Sequence, residues 1–213
     1  MYYITYTKDI LGNNYLAIKM PDDVLNPFLE EMKQHLGESE YQEYVDNKVK
    51  RDRGENHITV INVADYNRLA KEVGMDKFVN SLDSIFKYPI DDLKLMGLGT
   101  ATRSSNTTYF VVCQSDKLDA VRKRYELREH DFHITIGFYH RDVFGVRKNI
   151  VMEKKSEFLK IITQKFLKKE NFNFIRHISN FSADADVEII PVSINDKYLK
   201  IIVGDTIMDI GLI

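Results

Sequence analysis

FHITIGF, residues 132–138, sets His133 and Thr135 two positions apart in an apolar run. HITV, residues 57–60, repeats the form: histidine, apolar, threonine, apolar. Side chains of a strand alternate between its faces, so His57 and Thr59 point one way while Ile58 and Val60 point the other. The same parity separates His133 and Thr135 from Ile134 and Ile136. Each strand can therefore bury its apolar residues under helices and present a His–Thr pair on the opposite face. If the two strands are neighbours or pseudo-symmetric mates, both pairs converge on one groove.

Outward from these strands the chain falls into two similar halves. Residues YYITYTKD and NYLAIKM flank Gly12-Asn13-Asn14 and predict a β-hairpin. Pro21-Asp22-Asp23 then starts a helix carrying Val24, Phe28, Leu29, Met32 and Leu36 at helical spacing, with Gly37 as its stop. The stretch 38–56 is dense in both charges and is expected to be a solvated helix and loop. After HITVINV, a helical pattern over 65–86 has a break at Gly74. DLKLMGLGTAT and TTYFVVCQ predict a second hairpin around RSSN. Ser115 caps a helix that leads into the FHITIGF strand. A helix over about 154–168 and two closing strands, VEIIPVSI and YLKIIVGD, complete the pattern. Hairpins interleaved with helices indicate an α+β fold of mostly antiparallel sheets.

The chain has 213 residues and a formal net charge of −2. No bulk attraction to long nucleic acid or an anionic membrane follows from that balance, which favours a short ligand held by a local site. Cys113 is the one cysteine and sits among apolar residues, the setting of an inert buried thiol. No run approaches a membrane span, and the N-terminus lacks the basic-then-apolar pattern of a signal peptide, so a cytoplasmic protein is expected.

Two imidazoles across a groove suit phosphodiester chemistry. A neutral one takes a proton from the attacking oxygen and a protonated one gives a proton to the leaving oxygen. Threonine hydroxyls beside them can hold the non-bridging oxygens between. Extending the alternation places Gly137 and Tyr139 on the same face as His133, where Tyr139 would stack on a base or bond a phosphate. Arg147, in the loop RDVFGVRKN with Arg141 and Lys148, is a further phosphate-binding candidate, and Arg103 a weaker one. A metal site is not expected: odd spacing puts His130 and His140 on the face opposite His133, and a helical His-x-x-x-His is missing. His35 and His177 have no partner signal.

With its two His-x-Thr motifs the sequence resembles the 2H phosphoesterases. YLAIKMPDDVLNPFLEEMKQ is similar to that family's opening strand and helix. LKLMGLGTATRSSNTTYFVVCQSDKLDAVRKRYEL is similar to its central hairpin and helix, and IIPVSIND to its late strand. The resemblance implies a two-lobed, pseudo-symmetric fold with a central groove, formed by residues 1–213 as a single domain. It implies metal-independent cleavage of a nucleotide-type phosphodiester with no cofactor, His57 and His133 as catalytic pair, and Thr59 and Thr135 on the phosphate. The partner would be a nucleotide or oligonucleotide bearing a 2′,3′-cyclic phosphate, a 2′–5′ linkage or a cyclic backbone, RNA ends included. The alternative is a non-catalytic nucleotide- or RNA-end-binding module on the same fold. The charged stretch before His57 and the segment 172–186 exceed the compact family pattern.

Overall fold

The structure is a computed structural model that describes residues 1–103 and 105–152, together with the backbone of strands 189–194, 198–203 and 206–211. The expected helix over 154–168, the segment 172–186 and His177 lie outside the described residues.

The first sheet orders its strands β1 (Ile4–Lys8), β2 (Asn14–Met20) and β3 (Asn56–Ile61), all antiparallel. The Asp9 carboxylate closes the β1–β2 turn by accepting from the amides of Leu11 and Asn13, both at 2.9 Å, and Gly12 takes a positive φ of 85° there. Between β2 and β3 run α1 (Asn26–Leu36) and α2 (Glu38–Asp52), which meet at Gly37 (φ 80°). After β3 come α3 (Val63–Val73), capped by the Asn62 side chain, and α4 (Met75–Phe86), broken at Gly74.

The second sheet repeats the first: hairpin β4 (Lys94–Arg103) and β5 (Asn106–Gln114), helix α5 (Asp116–Arg124), then β6 (His133–Phe138) paired to β5. Ser115 caps α5 as expected, accepting from the Leu118 amide at 3.1 Å. A third antiparallel sheet joins β7 (Ile189–Ile194), β8 (Tyr198–Val203) and β9 (Thr206–Gly211); β9 was not foreseen. The fold is α+β, with each histidine motif on a strand that follows a hairpin and helices.

Ile58 and Ile134, the residues between histidine and threonine, are both fully buried in one apolar core. That core draws on the first two sheets and on α1, α2, α3, α4 and α5, including Met32, Tyr44, Phe78, Leu82 and Leu118. A smaller cluster of Ala101, Phe110, Val112 and Val143 lies on the opposite face of the second sheet.

Each motif strand carries the same irregularity. On β3, Thr59 pairs with Ala17 and Ile61 with Leu16, leaving Val60 as an extra residue. On β6, Thr135 pairs with Phe110 and Gly137 with Tyr109, leaving Ile136 extra. A β-bulge therefore follows the threonine of both motifs and inverts the strand parity beyond it. Arg122, almost wholly buried, holds the first bulge by donating to the Val60 carbonyl at 2.7 Å.

The stretch 38–56 departs from its expectation of a solvated surface. Its helix α2 packs against β6, burying Tyr44 and Lys48. The Lys48 ammonium donates to the Glu55 carbonyl (2.8 Å) and to Asn56 Oδ1 (2.5 Å), partners that permit so buried a charge. Sparse apolar residues on α2 hid this face in the sequence.

Candidate functional site

Register places Thr7, Tyr15, Lys19, His57 and Thr59 on one face of the first sheet. His133 and Thr135 occupy the corresponding face of the second. β3 and β6 approach within 8 Å between Cα atoms without sharing hydrogen bonds. His57, Thr59, His133 and Thr135 all line a single cavity of about 1010 Å³.

His133 Nδ1 lies 2.6 Å from the Asp131 carbonyl oxygen. A carbonyl only accepts, so Nδ1 carries the proton and the neutral ring keeps its lone pair on Nε2. Burial, with Lys148 adding to it, pushes the His133 pKa down to about 3. His57 is also shifted below the ordinary histidine value, by burial first and then by Arg51 and Lys48, against the pull of Asp52 and Glu55. Its Nε2 is 3.4 Å from the Tyr15 hydroxyl. Burial raises the Tyr15 pKa to about 12, so the phenol keeps its proton and can donate.

Asp142 gathers one wall of the cavity. Its carboxylate accepts from Thr108 Oγ1 (2.8 Å), Lys148 Nζ (2.9 Å), Thr135 Oγ1 (3.4 Å) and Arg51 Nη1. Arg51 reaches it from the C-terminal end of α2, with its guanidinium 4.8 Å from the Phe138 ring and bidentate on Asp52 (2.6 and 2.7 Å). Lys148 and Arg51, with hydrogen-bonding partners, hold the Asp142 pKa below the usual carboxylate value despite burial. Asp131 fixes the following loop: its carboxylate accepts from Arg147 Nε (2.8 Å) and from the Lys148 amide (2.9 Å). One residue thereby orients His133 through its carbonyl and the 141–149 loop through its side chain.

Of the residues singled out in the sequence, Arg147 joins the two His–Thr pairs in the cavity, with its Nε engaged by Asp131. Tyr139 does not. The bulge at Ile136 turns it to the helical side, where it stacks on Tyr44 with ring centroids 5.9 Å apart. Gly137 turns with it, and the room it leaves is filled by Met32 and Tyr44 rather than offered to a ligand. The inverted parity brings Phe138 to the face of Thr135, under Arg51. Strand parity also misplaces His130, which precedes β6 and lines the cavity with its ring 6.3 Å from that of His133. Arg103 holds the loop instead of the cavity, donating to the Phe144 carbonyl at 3.2 Å. Arg51, Asp142, Tyr15 and Phe144 are among the cavity residues that the sequence did not point to. Among the described residues no three His, Cys, Asp or Glu side chains cluster as a metal-ligand set.

Fold and site together define an α+β protein with two His-x-Thr strands facing one cavity. A family model described as "Swiss Army Knife, 2H phosphoesterase domain" matches residues 24–144, which include both motifs, and the chain belongs to this family of phosphodiesterase type. No curated protein and no solved structure matches it. Among the described residues, no helix is long and apolar enough to cross a membrane.

Proposed function

We propose that the protein is a metal-independent phosphodiesterase that cleaves a nucleotide-type phosphodiester with His57 and His133 as its acid–base pair. The observation that carries this reading is the meeting of both His–Thr pairs in one cavity, with the His133 Nε2 lone pair unprotonated near neutral pH.

In this reaction the phosphate lies between the imidazoles; Thr59 donates to one non-bridging oxygen, and Thr135 donates to another by turning its hydroxyl away from the Asp142 carboxylate, 3.4 Å distant. His133 Nε2 takes the proton of the attacking water or ribose hydroxyl as the new P–O bond forms. His57, made easier to protonate by the bound anion, gives its proton to the departing oxygen as the old P–O bond breaks. Arg147 at the loop adds a cation beside the phosphate.

A cavity of about 1010 Å³ lies at the upper end of ordinary ligand pockets, roughly 300–1,000 Å³. That size favours a 2′–5′ linked or cyclic oligonucleotide, or the 2′,3′-cyclic end of an RNA, over a free mononucleotide. The test is turnover, with EDTA present, of a 2′–5′ dinucleotide, a 2′,3′-cyclic-ended RNA and several cyclic oligonucleotides. His57→Ala and His133→Ala should each lower kcat by about 10²–10⁴-fold, the usual contribution of a positioned acid or base. Turnover that survives both substitutions refutes the pairing. Binding without turnover by the wild type would instead favour a nucleotide-binding module.

A further inference from the structure

We propose that Asp142 is a positioning residue for substrate binding, a buried carboxylate that, with Lys148 buried behind it, fixes Arg51 as a grip on the substrate's phosphate. The proposal rests on the reading of the cavity as a phosphodiester site and adds to it a residue from the charged helix α2.

The Asp142 side chain is 5% exposed and lies at the junction of four separate pieces of chain. Arg51 comes from the end of α2, Thr108 from β5, Thr135 from β6 and Lys148 from the loop that follows β6. The only one of these groups with substantial access to the cavity is Arg51, whose side chain is 26% exposed. Its Nε and one Nη2 hydrogen go to Asp52 and one Nη1 hydrogen to Asp142. Among the described residues its two remaining N–H groups have no acceptor. Held on two sides by carboxylates and stacked on Phe138, the guanidinium has lost its rotamer freedom before any ligand arrives. Fixed donors of this kind bind a phosphate oxygen without further ordering cost.

Charge alone gives the wrong sign for the role of Asp142. Arg51 and Lys148 are balanced by Asp52 and Asp142, so the cluster carries no net charge. Removing the Asp142 charge would leave one positive charge in excess, and by Coulomb attraction an anion should then bind more tightly. If Asp142 acts by holding Arg51 in place, the same change weakens anion binding. The two accounts predict opposite outcomes of Asp142→Asn.

Calorimetric titration with adenosine 2′-monophosphate, and with adenosine as its phosphate-free control, separates them. The wild type should prefer the monophosphate. Asp142→Asn should weaken its binding about tenfold and leave adenosine unchanged, and Arg51→Gln should shift the monophosphate in the same direction. With a diester substrate, Asp142→Asn should raise KM about tenfold and leave kcat within about threefold. Unchanged or tighter monophosphate binding by folded Asp142→Asn overturns the proposal, as does a wild type without preference for the monophosphate. If Asp142→Asn does not fold, Arg51→Gln decides, and an unaltered affinity overturns the grip. Monophosphate binding that depends on Asp142 and Arg51, in a protein that turns over no diester, would keep the grip and remove the catalytic reading. Diester turnover with a wild-type KM in Asp142→Asn would do the reverse.

Discussion

His133 is pressed toward neutrality from several sides, and that has a cost at low pH. Burial sets its pKa at about 3 and that of the neighbouring His130 at about 4, both below the ordinary histidine value near 6.5. Between those limits the unfolded chain binds protons that the folded protein refuses. The stability contributed by neutral histidines is therefore complete above about pH 6.5 and is lost as pH falls toward 4. The slope approaches about 1.4 kcal/mol per pH unit for each such histidine. Urea midpoints between pH 7 and 4.5 should fall steeply in the wild type and more shallowly in His130→Phe, which removes a titrating ring and keeps an aromatic one. Parallel slopes in the two proteins would show that His130 is not buried neutral. At this scale the sequence was legible where residue type and parity coincide, as at His57, Thr59, His133 and Thr135. Asp142 and Arg51 were not, because their importance lies in long-range partners: Arg51 meets Asp142 across 91 positions of chain.

The bulges decide what each motif strand can do beyond its threonine. On β6 the extra Ile136 sends Gly137 against α1 and α2, where an added Cβ would stand 2.4 Å from Met32 Cε and 3.1 Å from Tyr44 Cβ. Gly137→Ala should destabilise the fold by about 1–3 kcal/mol, the usual cost of overpacking, as measured by urea unfolding. A neutral Gly137→Ala would place the glycine outside the helix contact. Strand parity read from sequence failed at Tyr139 for the same reason: one inserted residue reverses every later side chain, and apolar Ile136 carries no mark of insertion. The loop after β6 is the second element that function reaches. Phe144 stands on the cavity rim with 70% of its surface exposed, while its carbonyl and the Val143 amide are tied down by Arg103 and Thr108. The chain has no tryptophan, so Phe144→Trp installs a single fluorophore at the mouth. A 2′–5′ adenosine dinucleotide should quench it by stacking, whereas inorganic phosphate should not; equal responses to both ligands would remove the base-stacking role.

For the molecule as a whole, the duplicated order of strands and helices was readable because hairpins and helix caps leave local signatures. The joining of the halves was not, since no local signal states that Ile58 and Ile134 share a core. That sharing makes a definite claim about cooperativity. The two isoleucines belong to separate sheets, yet both are fully buried in one apolar cluster that also takes in Met32, Tyr109 and Leu118. Two halves with independent cores would unfold independently, and damage to one would leave the other's transition in place. With a common core, Ile58→Ala and Ile134→Ala should each cost about 2–5 kcal/mol, and both should move the same unfolding transition. The measurement is urea unfolding followed in parallel by far-ultraviolet circular dichroism and tyrosine fluorescence. Coincident curves in the wild type and in both variants are expected. A biphasic curve in which Ile58→Ala moves one phase and Ile134→Ala the other would mean two units that dock without sharing a core, leaving the cavity between them free to open without global unfolding.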